Sequence, residues 1–160
     1  INVARLHADQ SGLDINYRVA TAEKLATEKA QFDIVLALEI IEHVADIDFF
    51  VSSCTSLIKP GGLVIFATLN RTAKAFLLAI IGAEYVLRWM PRGTHHWDRF
   101  VKPSELAQLL IRQNLKMADI SGVSYNPLND VWRLSGDVAV NYMLCAKKRY
   151  EKPDREVSKL

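Results

Sequence analysis

An unbroken apolar run that ends in charged residues dominates the hydrophobic pattern of the first half of the chain. Residues 32–38 read Phe-Asp-Ile-Val-Leu-Ala-Leu, which is typical of a strand buried on both faces of a parallel sheet. Glu39, Glu42 and His43 follow this run directly. Because open α/β sheets bind their ligands beyond the carboxyl ends of their strands, this junction is the first place where we expect chemistry.

Helical and strand patterns alternate along the rest of the chain. Helical spacing of apolar residues predicts helices over Ile1–His7, Asp46–Ile58 and Pro103–Gln113, with weaker helical character over Ala20–Lys29. Apolar or alternating runs predict strands over Ile15–Val19, Phe32–Leu38, Leu63–Thr68, Leu115–Tyr125 and Val138–Ala146, with a loop over Asn129–Gly136. This order predicts an α/β, doubly wound sheet, mostly parallel with an antiparallel closing strand. Only three strands precede a long helical insert after Thr68, so we expect the first strands of the fold to be missing.

The insert, residues 71–102, has an unusual composition. Between Ala73 and Met90 it holds only three charged side chains, and this stretch is shorter than the roughly 20 residues that a membrane-spanning helix needs. Two interpretations fit: a lid helix buried against the sheet, or a helix lying in a bilayer interface. In the second, aromatic residues lie at headgroup level and basic ones meet phosphates, namely Tyr85, Trp89, Trp97, Lys74, Arg88, Arg92 and Arg99. Both hold if the lid covers a site for a lipid-like substrate.

Basic charge is concentrated in two parts of a chain whose net charge is only +2. The insert carries six Lys or Arg against two acidic residues, and the segment from Lys147 onward carries six against three. This distribution indicates that two basic regions bind an anionic surface, either membrane or nucleic acid. It does not indicate a fold that is basic over its whole surface. Nucleic acid is disfavoured, because the basic residues alternate with Leu and Ile rather than with stacked aromatic rings. Residues 148–160 are predicted to form a charged, disordered tail.

Several stretches together resemble one family. Residues 32–43, then Leu-Ile-Lys-Pro-Gly-Gly at 57–62 and an apolar strand, are similar to the second half of class I methyltransferases that use S-adenosylmethionine. Thr-Leu-Asn-Arg at 68–71, Gly-Ala-Glu-Tyr-Val-Leu-Arg at 82–88 and Val-Asn-Tyr-Met-Leu at 140–144 narrow the resemblance to the ubiquinone-biosynthesis O-methyltransferases, bacterial and mitochondrial. The resemblance implies a partial, Rossmann-like methyltransferase domain over residues 1–147, with its helical lid or membrane insert at about 71–102.

The resemblance also implies a cofactor site, of which this sequence holds one part. The family carries a glycine-rich turn after its first strand and an acidic residue after its second, and neither is present in these 160 residues. By resemblance, Ala22 and Glu23 flank the adenine of S-adenosylmethionine, and Leu38 packs on the cofactor. Ala22 and Glu23 are equally consistent with a helix N-terminus that carries a favourably placed carboxylate. We expect this chain by itself to be inactive.

Glu39, Glu42 and His43 have the i, i+3, i+4 spacing that places three side chains on one side of a helical turn. Such a set can ligate a divalent cation, since carboxylates favour Mg²⁺ or Mn²⁺ and the imidazole admits Zn²⁺. The metal would bind the oxygens of a catechol and stabilise its phenolate, a role to which the resemblance also points. Without metal, His43 would take the phenol proton as general base. The structural alternative is that the carboxylates cap the next segment and His43 fills space.

The leading hypothesis is transfer of a methyl group from S-adenosylmethionine to a phenolic hydroxyl of polyprenylated catechol or hydroquinol intermediates in ubiquinone biosynthesis. The resemblance implies a peripheral position on the cytoplasmic face of the bacterial inner membrane, or on the matrix face of the mitochondrial one, and a ubiquinone-biosynthesis complex as partner. Two alternatives stay open. One is an O-methyltransferase with a soluble substrate, and the other is a non-catalytic peripheral membrane protein on a degenerate methyltransferase fold.

Overall fold

The computed structural model describes residues 1–86, 91, 93, 96–126 and 129–150. Its helices are α1 (Asn2–Gln10), α2 (Ala22–Thr27), α3 (Ile47–Ser56), α4 (Ala73–Ala75, continued by a π-helix over Phe76–Val86) and α5 (Pro103–Arg112). Its strands are β1 (Phe32–Leu38), β2 (Ile58–Leu69), β3 (Leu115–Asn126), β4 (Val131–Ser135) and β5 (Asn141–Lys148). Short 3₁₀ turns lie at Ile41–His43 and Trp97–Arg99.

The five strands form one mixed sheet in the order β1-β2-β5-β3-β4. β1 and β2 pair in parallel, whereas β2 with β5, β5 with β3, and β3 with β4 are antiparallel. The predicted α/β class and the antiparallel closing strand are confirmed. The described part of the sheet is less parallel than predicted, however, since one of its four strand pairs is parallel.

Two segments differ from the prediction in secondary structure. Residues 15–19 form no strand, although their side chains alternate. β1 is the edge of the described sheet, so among the described residues no ladder takes up this segment, and a lone strand is not stable. Conversely, the predicted loop at 129–136 contains β4, whose Trp132 packs on Tyr125 of β3 with ring centroids 4.7 Å apart. Pairing across the β3–β4 hairpin therefore makes these residues a strand, which their local sequence pattern did not predict.

β2 begins earlier than predicted because the Pro-Gly-Gly turn lies inside it as a bulge. Phe32 pairs with Ile58, but Ile34 pairs with Leu63. Residues 59–62 of β2 therefore lie opposite a single residue of β1, Asp33. A side chain at Gly62 would meet the backbone oxygen of Asp33 at 2.6 Å. Glycine is therefore required where β2 approaches the start of β1.

Helices α2, α3 and α5 cover one face of the sheet and form the main core with it. The buried members of this core are Ala37, Ile41, Phe50, Val51, Cys54, Ile58, Val64, Phe66, Val101, Leu106, Leu110, Leu115, Tyr142, Leu144 and Ala146. The other face is more open: on β1, Ile34, Leu36 and Leu38 are exposed, so the prediction that this strand is buried on both faces is wrong. β1 contributes Ala37 to the core and Ile41 follows in the loop, so the charged residues after β1 lie at the boundary of the core.

The insert packs beside the carboxyl end of β2 through a second, smaller core. Leu69, Ala75, Ile80 and Phe100 are buried there, while Leu77 and Leu78 on the same helical segment are exposed. The described insert thus has one packed side and one apolar exposed side, which fits both of its predicted roles. Arg88, Trp89 and Arg92, and residues 151–160 of the predicted tail, lie outside the described residues. In the part of the chain that is described, no helix has the length and apolar character needed to cross a membrane.

Candidate active site

The loop after β1 holds the charged residues in a different local geometry from the one predicted. The backbone of Glu39 is in the left-handed region with φ of +50°, and its N–H donates to the carbonyl oxygen of Ala67 on β2 at 2.8 Å. The 3₁₀ turn begins only at Ile41. The prediction of one helical turn that carries all three side chains is therefore wrong. Glu39 closes the strand, and Glu42 and His43 belong to the turn after it.

Glu42 is a buried carboxylate with a defined partner. Its side chain is 3% exposed, and its Oε2 accepts a hydrogen bond of 2.7 Å from the hydroxyl of Thr68, which is fully buried on β2. The imidazole of His43 is 53% exposed, with Nε2 4.0 Å from Oε1 of Glu42. A buried carboxylate is costly unless it is hydrogen-bonded, so the Thr68 contact is what allows Glu42 to lie in the core.

The two carboxyl groups of the loop interact with each other. Although residue Glu39 is partly exposed, desolvation of its carboxyl group, the adjacent Glu42 carboxylate and a hydrogen bond between the two raise the pKa of Glu39 to about 7. Burial, followed by the charges of Glu105, Glu42 and Glu39, raises the pKa of the Tyr142 phenol as well. Tyr142 itself is buried in the main core on β5, and its hydroxyl donates to the carbonyl oxygen of Val101 at 3.0 Å.

Replacing Glu39 by Gln is expected to stabilise the chain at pH 8 and not at pH 4. The folded chain keeps the Glu39 proton up to a pKa of about 7, against an ordinary value of 4.5, so the free energy of unfolding falls as the pH rises through this window. With solvent screening at a partly exposed site, the gain at pH 8 is about 1 kcal/mol. Urea unfolding at both pH values measures it. An equal gain at pH 4 would contradict the shifted pKa.

The three predicted ligands do not form a ready metal site. Over residues 1–86, 91, 93, 96–126 and 129–150, no group of three or more His, Cys, Asp or Glu side chains is arranged to hold a metal ion. The reason is local: Glu42 turns into the core to bond Thr68, the carboxyl group of Glu39 interacts with that of Glu42, and His43 is half exposed. Binding of Mg²⁺, Mn²⁺ or Zn²⁺ by Glu39, Glu42 and His43 stays a prediction, and no step of the mechanism below depends on it.

A cavity of about 470 Å³ lies between α2, β1 and α3, and two of the predicted cofactor residues line it. Ala22 and Glu23 contribute to its wall together with mainly apolar side chains, among them Leu25, Val35, Leu36, Ala37, Phe50, Cys54 and Leu57. Apolar walls with one carboxylate fit the chemistry of an adenine ring, which stacks on apolar surface and donates from its amine. Leu38, the last residue of β1, does not line this cavity, and its side chain is exposed.

The structural alternative for Ala22 and Glu23 is present too. The hydroxyl of Thr21 caps α2 by accepting from the backbone N–H of Lys24 at 3.2 Å, and Glu23 lies in the first turn of the helix, where a carboxylate is favourable. The cap orients this segment, and the cavity beside it has room for a ligand. Both interpretations of Glu23 therefore remain consistent with the structure.

Sequence reasoning missed one partner of the acidic group, Thr68. Thr68 and Tyr142 are direct partners across β2 and β5, and both are buried. A Thr in a buried strand is normally interpreted as a β-branched strand former, and Tyr142 as core packing. The signal that could have identified Thr68 is its position, since a hydroxyl at the carboxyl end of an apolar strand lies at the same sheet edge as Glu39.

Comparison with known proteins shows the family to which the chain is related. A family model described as a methyltransferase domain matches residues 1–66. Proteins named "Ubiquinone biosynthesis O-methyltransferase" from Bartonella bacilliformis and Brucella anthropi are 56% and 55% identical to this chain over 148 residues, or 92% of its length. The chain spans 60% of the length of each of these curated relatives.

A solved structure shows the same fold. An S-adenosylmethionine-dependent methyltransferase from Methanosarcina mazei aligns over 94% of this chain and 78% of its own, with a TM-score of 0.62 at 15% sequence identity. The fold is thus shared at a level of identity that carries no information about substrate. Taken with the two relatives, it shows that the chain, over the residues that match, belongs to the class I S-adenosylmethionine-dependent methyltransferases, in the family of the ubiquinone-biosynthesis O-methyltransferases.

Proposed function

We propose that this chain carries the phenol-activating part of an O-methyltransferase that transfers a methyl group from S-adenosylmethionine to polyprenylated catechol or hydroquinol intermediates of ubiquinone biosynthesis. The observation that carries the proposal is the acidic group at the carboxyl end of β1, with an accessible imidazole beside it. It occurs in a chain 56% identical to a relative named for this pathway. The cavity beside α2, with its mainly apolar walls and one carboxylate, supports the choice of cofactor.

The residues of this chain divide the work of activating a phenol. His43 is exposed enough to meet a substrate and takes the phenol proton as general base. The Glu42 carboxylate, 4.0 Å from its ring, stabilises the imidazolium that results. When bound, S-adenosylmethionine supplies an electrophilic methyl group. Catalysis by the chain is then mostly orientation of the phenolate and stabilisation of charge.

A hybrid protein tests the proposal, because the chain spans 60% of its relatives' length. In the hybrid, this chain replaces the stretch of the Bartonella bacilliformis protein that it matches. We expect the hybrid to methylate prenylated catechols in the presence of S-adenosylmethionine, with the unmodified relative as positive control. No methyl transfer by a folded hybrid that binds the cofactor would favour a non-catalytic protein on a degenerate fold. Equal activity on tail-less catechols would favour a soluble substrate.

A second measurement on the hybrid tests the prediction that a metal ion binds. Activity of the hybrid is measured after EDTA treatment and after addition of Mg²⁺, Mn²⁺ or Zn²⁺. Loss with EDTA and recovery with one ion would support a metal role for Glu39, Glu42 and His43. Unchanged activity would leave His43 as the base without a metal.

We also propose that the insert at 71–102 binds the protein to a membrane surface. The protein then acts at the cytoplasmic face of the bacterial inner membrane or at the matrix face of the mitochondrial one. Exposed Phe76, Leu77 and Leu78 support this, as does the net positive charge of the insert. An isoprenoid tail could then stay in the bilayer while the ring enters the site. A ubiquinone-biosynthesis complex at the same surface is part of the proposal.

Replacing Leu77 by Asp is expected to lower binding of the chain to vesicles that contain anionic lipids by about tenfold, because burial of one Leu side chain contributes about 1.5–3 kcal/mol. Vesicle pelleting at physiological salt measures the bound fraction. Ile111→Asp on α5 is the matched control, since Ile111 is 59% and Leu77 58% exposed. An equal loss in both variants would show that only net charge matters, and no loss in either would remove the membrane role of the insert.

A further inference from the structure

The Glu42 carboxylate is held by a neighbouring strand as well as by its own loop. Its Oε2 accepts from the Thr68 hydroxyl at 2.7 Å, and both side chains are buried. Thr68 lies near the end of β2, where it pairs with Tyr142 of β5. β-branched side chains in strands have restricted χ1 angles, so the direction of this hydroxyl is set by the backbone of the sheet.

The hydrogen bond with Thr68 engages one oxygen of the Glu42 carboxylate, and the other oxygen lies nearer to His43. Oε1 is the oxygen that lies 4.0 Å from Nε2 of His43, while Oε2 is occupied by Thr68. A hydroxyl has one proton to donate, and here it goes to the carboxylate. The hydrogen bond therefore fixes which oxygen of Glu42 faces the imidazole. Without it, the buried carboxylate would keep its hydrogen bond with Glu39 but lose the bond that ties it to the sheet.

We infer that Thr68 is a positioning residue for methyl transfer, acting through Glu42 by holding its carboxylate against the turn that carries His43. This inference rests on the proposed function. Positioning residues of this kind act on reaction rate, because small displacements of a reacting group cost rate without changing what is bound. Removal of a partner that orients a catalytic group typically costs about 10- to 100-fold in activity.

Three substitutions in the hybrid test the inference by activity. Thr68→Val keeps the shape and removes the hydroxyl, and we expect kcat to fall about 10- to 100-fold while KM for the phenol and affinity for S-adenosylmethionine change less than twofold. Thr68→Ser keeps the hydroxyl and is expected to retain most of kcat. Thr55→Val is the matched control, since Thr55 is buried in the same domain but its hydroxyl bonds to Ser52 in α3. Full kcat in Thr68→Val, or an equal loss in Thr55→Val, would overturn the inference.

Thermal unfolding of this chain tests the contact without any activity. Thr68→Val is expected to lower the unfolding midpoint by about 5 °C, because it removes a hydrogen-bond donor from a buried carboxylate. In a Glu42→Met background, the same substitution is expected to change the midpoint by less than about 1 °C. An equal drop in both backgrounds would show that Thr68 does not act through Glu42. An inactive hybrid with this coupling intact would overturn the proposed function and leave the hydrogen bond a structural one.

Discussion

Replacing Glu42 by Gln is expected to lower kcat of the hybrid protein by about 100-fold or more, within the range of about 10²- to 10⁴-fold that a positioned acid–base group contributes. Gln has the size of Glu and can still accept the hydrogen bond of Thr68. It loses the negative charge that lies 4.0 Å from the His43 ring. The variant therefore separates the charge of Glu42 from its packing, which substitution by Ala would confound.

The measurement is steady-state methyl transfer, with cofactor affinity determined separately by calorimetry. Affinity for S-adenosylmethionine should stay within twofold, since Glu42 does not line the cavity beside α2. Asp48→Asn provides a control that removes one exposed carboxylate from the nearby first turn of α3, and it should leave kcat unchanged. If Glu42→Gln keeps full kcat, the acidic group serves the fold alone.

The sequence was sufficient for the elements whose neighbours are close along the chain. A helix was predicted over Asp46–Ile58, and α3 lies within those bounds, with the Asp46 carboxylate accepting from the backbone N–H of Phe49 at 2.9 Å. The apolar run at 32–38 was predicted to be a strand, and β1 has those bounds. In both cases the determining interactions are local, either within one helical turn or in the run of apolar side chains itself.

Elements that depend on distant partners could not be predicted in the same way. Residues 15–19 have the alternation of a strand but no strand is formed, while the predicted loop at 129–136 contains β4 because β3 is there to pair with it. The predicted strand began at Leu63, whereas β2 begins at Ile58, before the Pro-Gly-Gly segment. The role of this segment as a bulge depends on the close approach of Gly62 to Asp33, which lies 29 positions earlier in the sequence.

The candidate site shows the same division. Position in sequence correctly placed Glu39, Glu42 and His43 together after β1, because they follow the strand directly. It did not predict that Glu42 turns inward, since that depends on the hydroxyl of Thr68, which comes from another strand. Which member of an acidic cluster is buried is decided by the donors that the sheet presents, and these become neighbours only on folding.

Ile41, the first residue of the 3₁₀ turn after β1, packs this turn against the main core. Ile41 is completely buried in the main core, whereas its neighbour Ile40 is 46% exposed. Ile41→Ala is therefore expected to lower the free energy of unfolding by about 2–5 kcal/mol, the usual range for such truncations in a packed core. Ile40→Ala removes the same atoms one position earlier and should cost less than about 1 kcal/mol.

Urea unfolding of both variants measures this difference. Because Ile41 lies next to Glu42 and within the 3₁₀ turn that carries His43, its loss should also weaken the coupling between Thr68 and Glu42. Thr68→Val made in the Ile41→Ala background would then cost less than it does alone. Equal costs for Ile41→Ala and Ile40→Ala would show that the turn is held by its backbone, through bonds such as that from the N–H of Glu39 to Ala67, and not by its buried side chain.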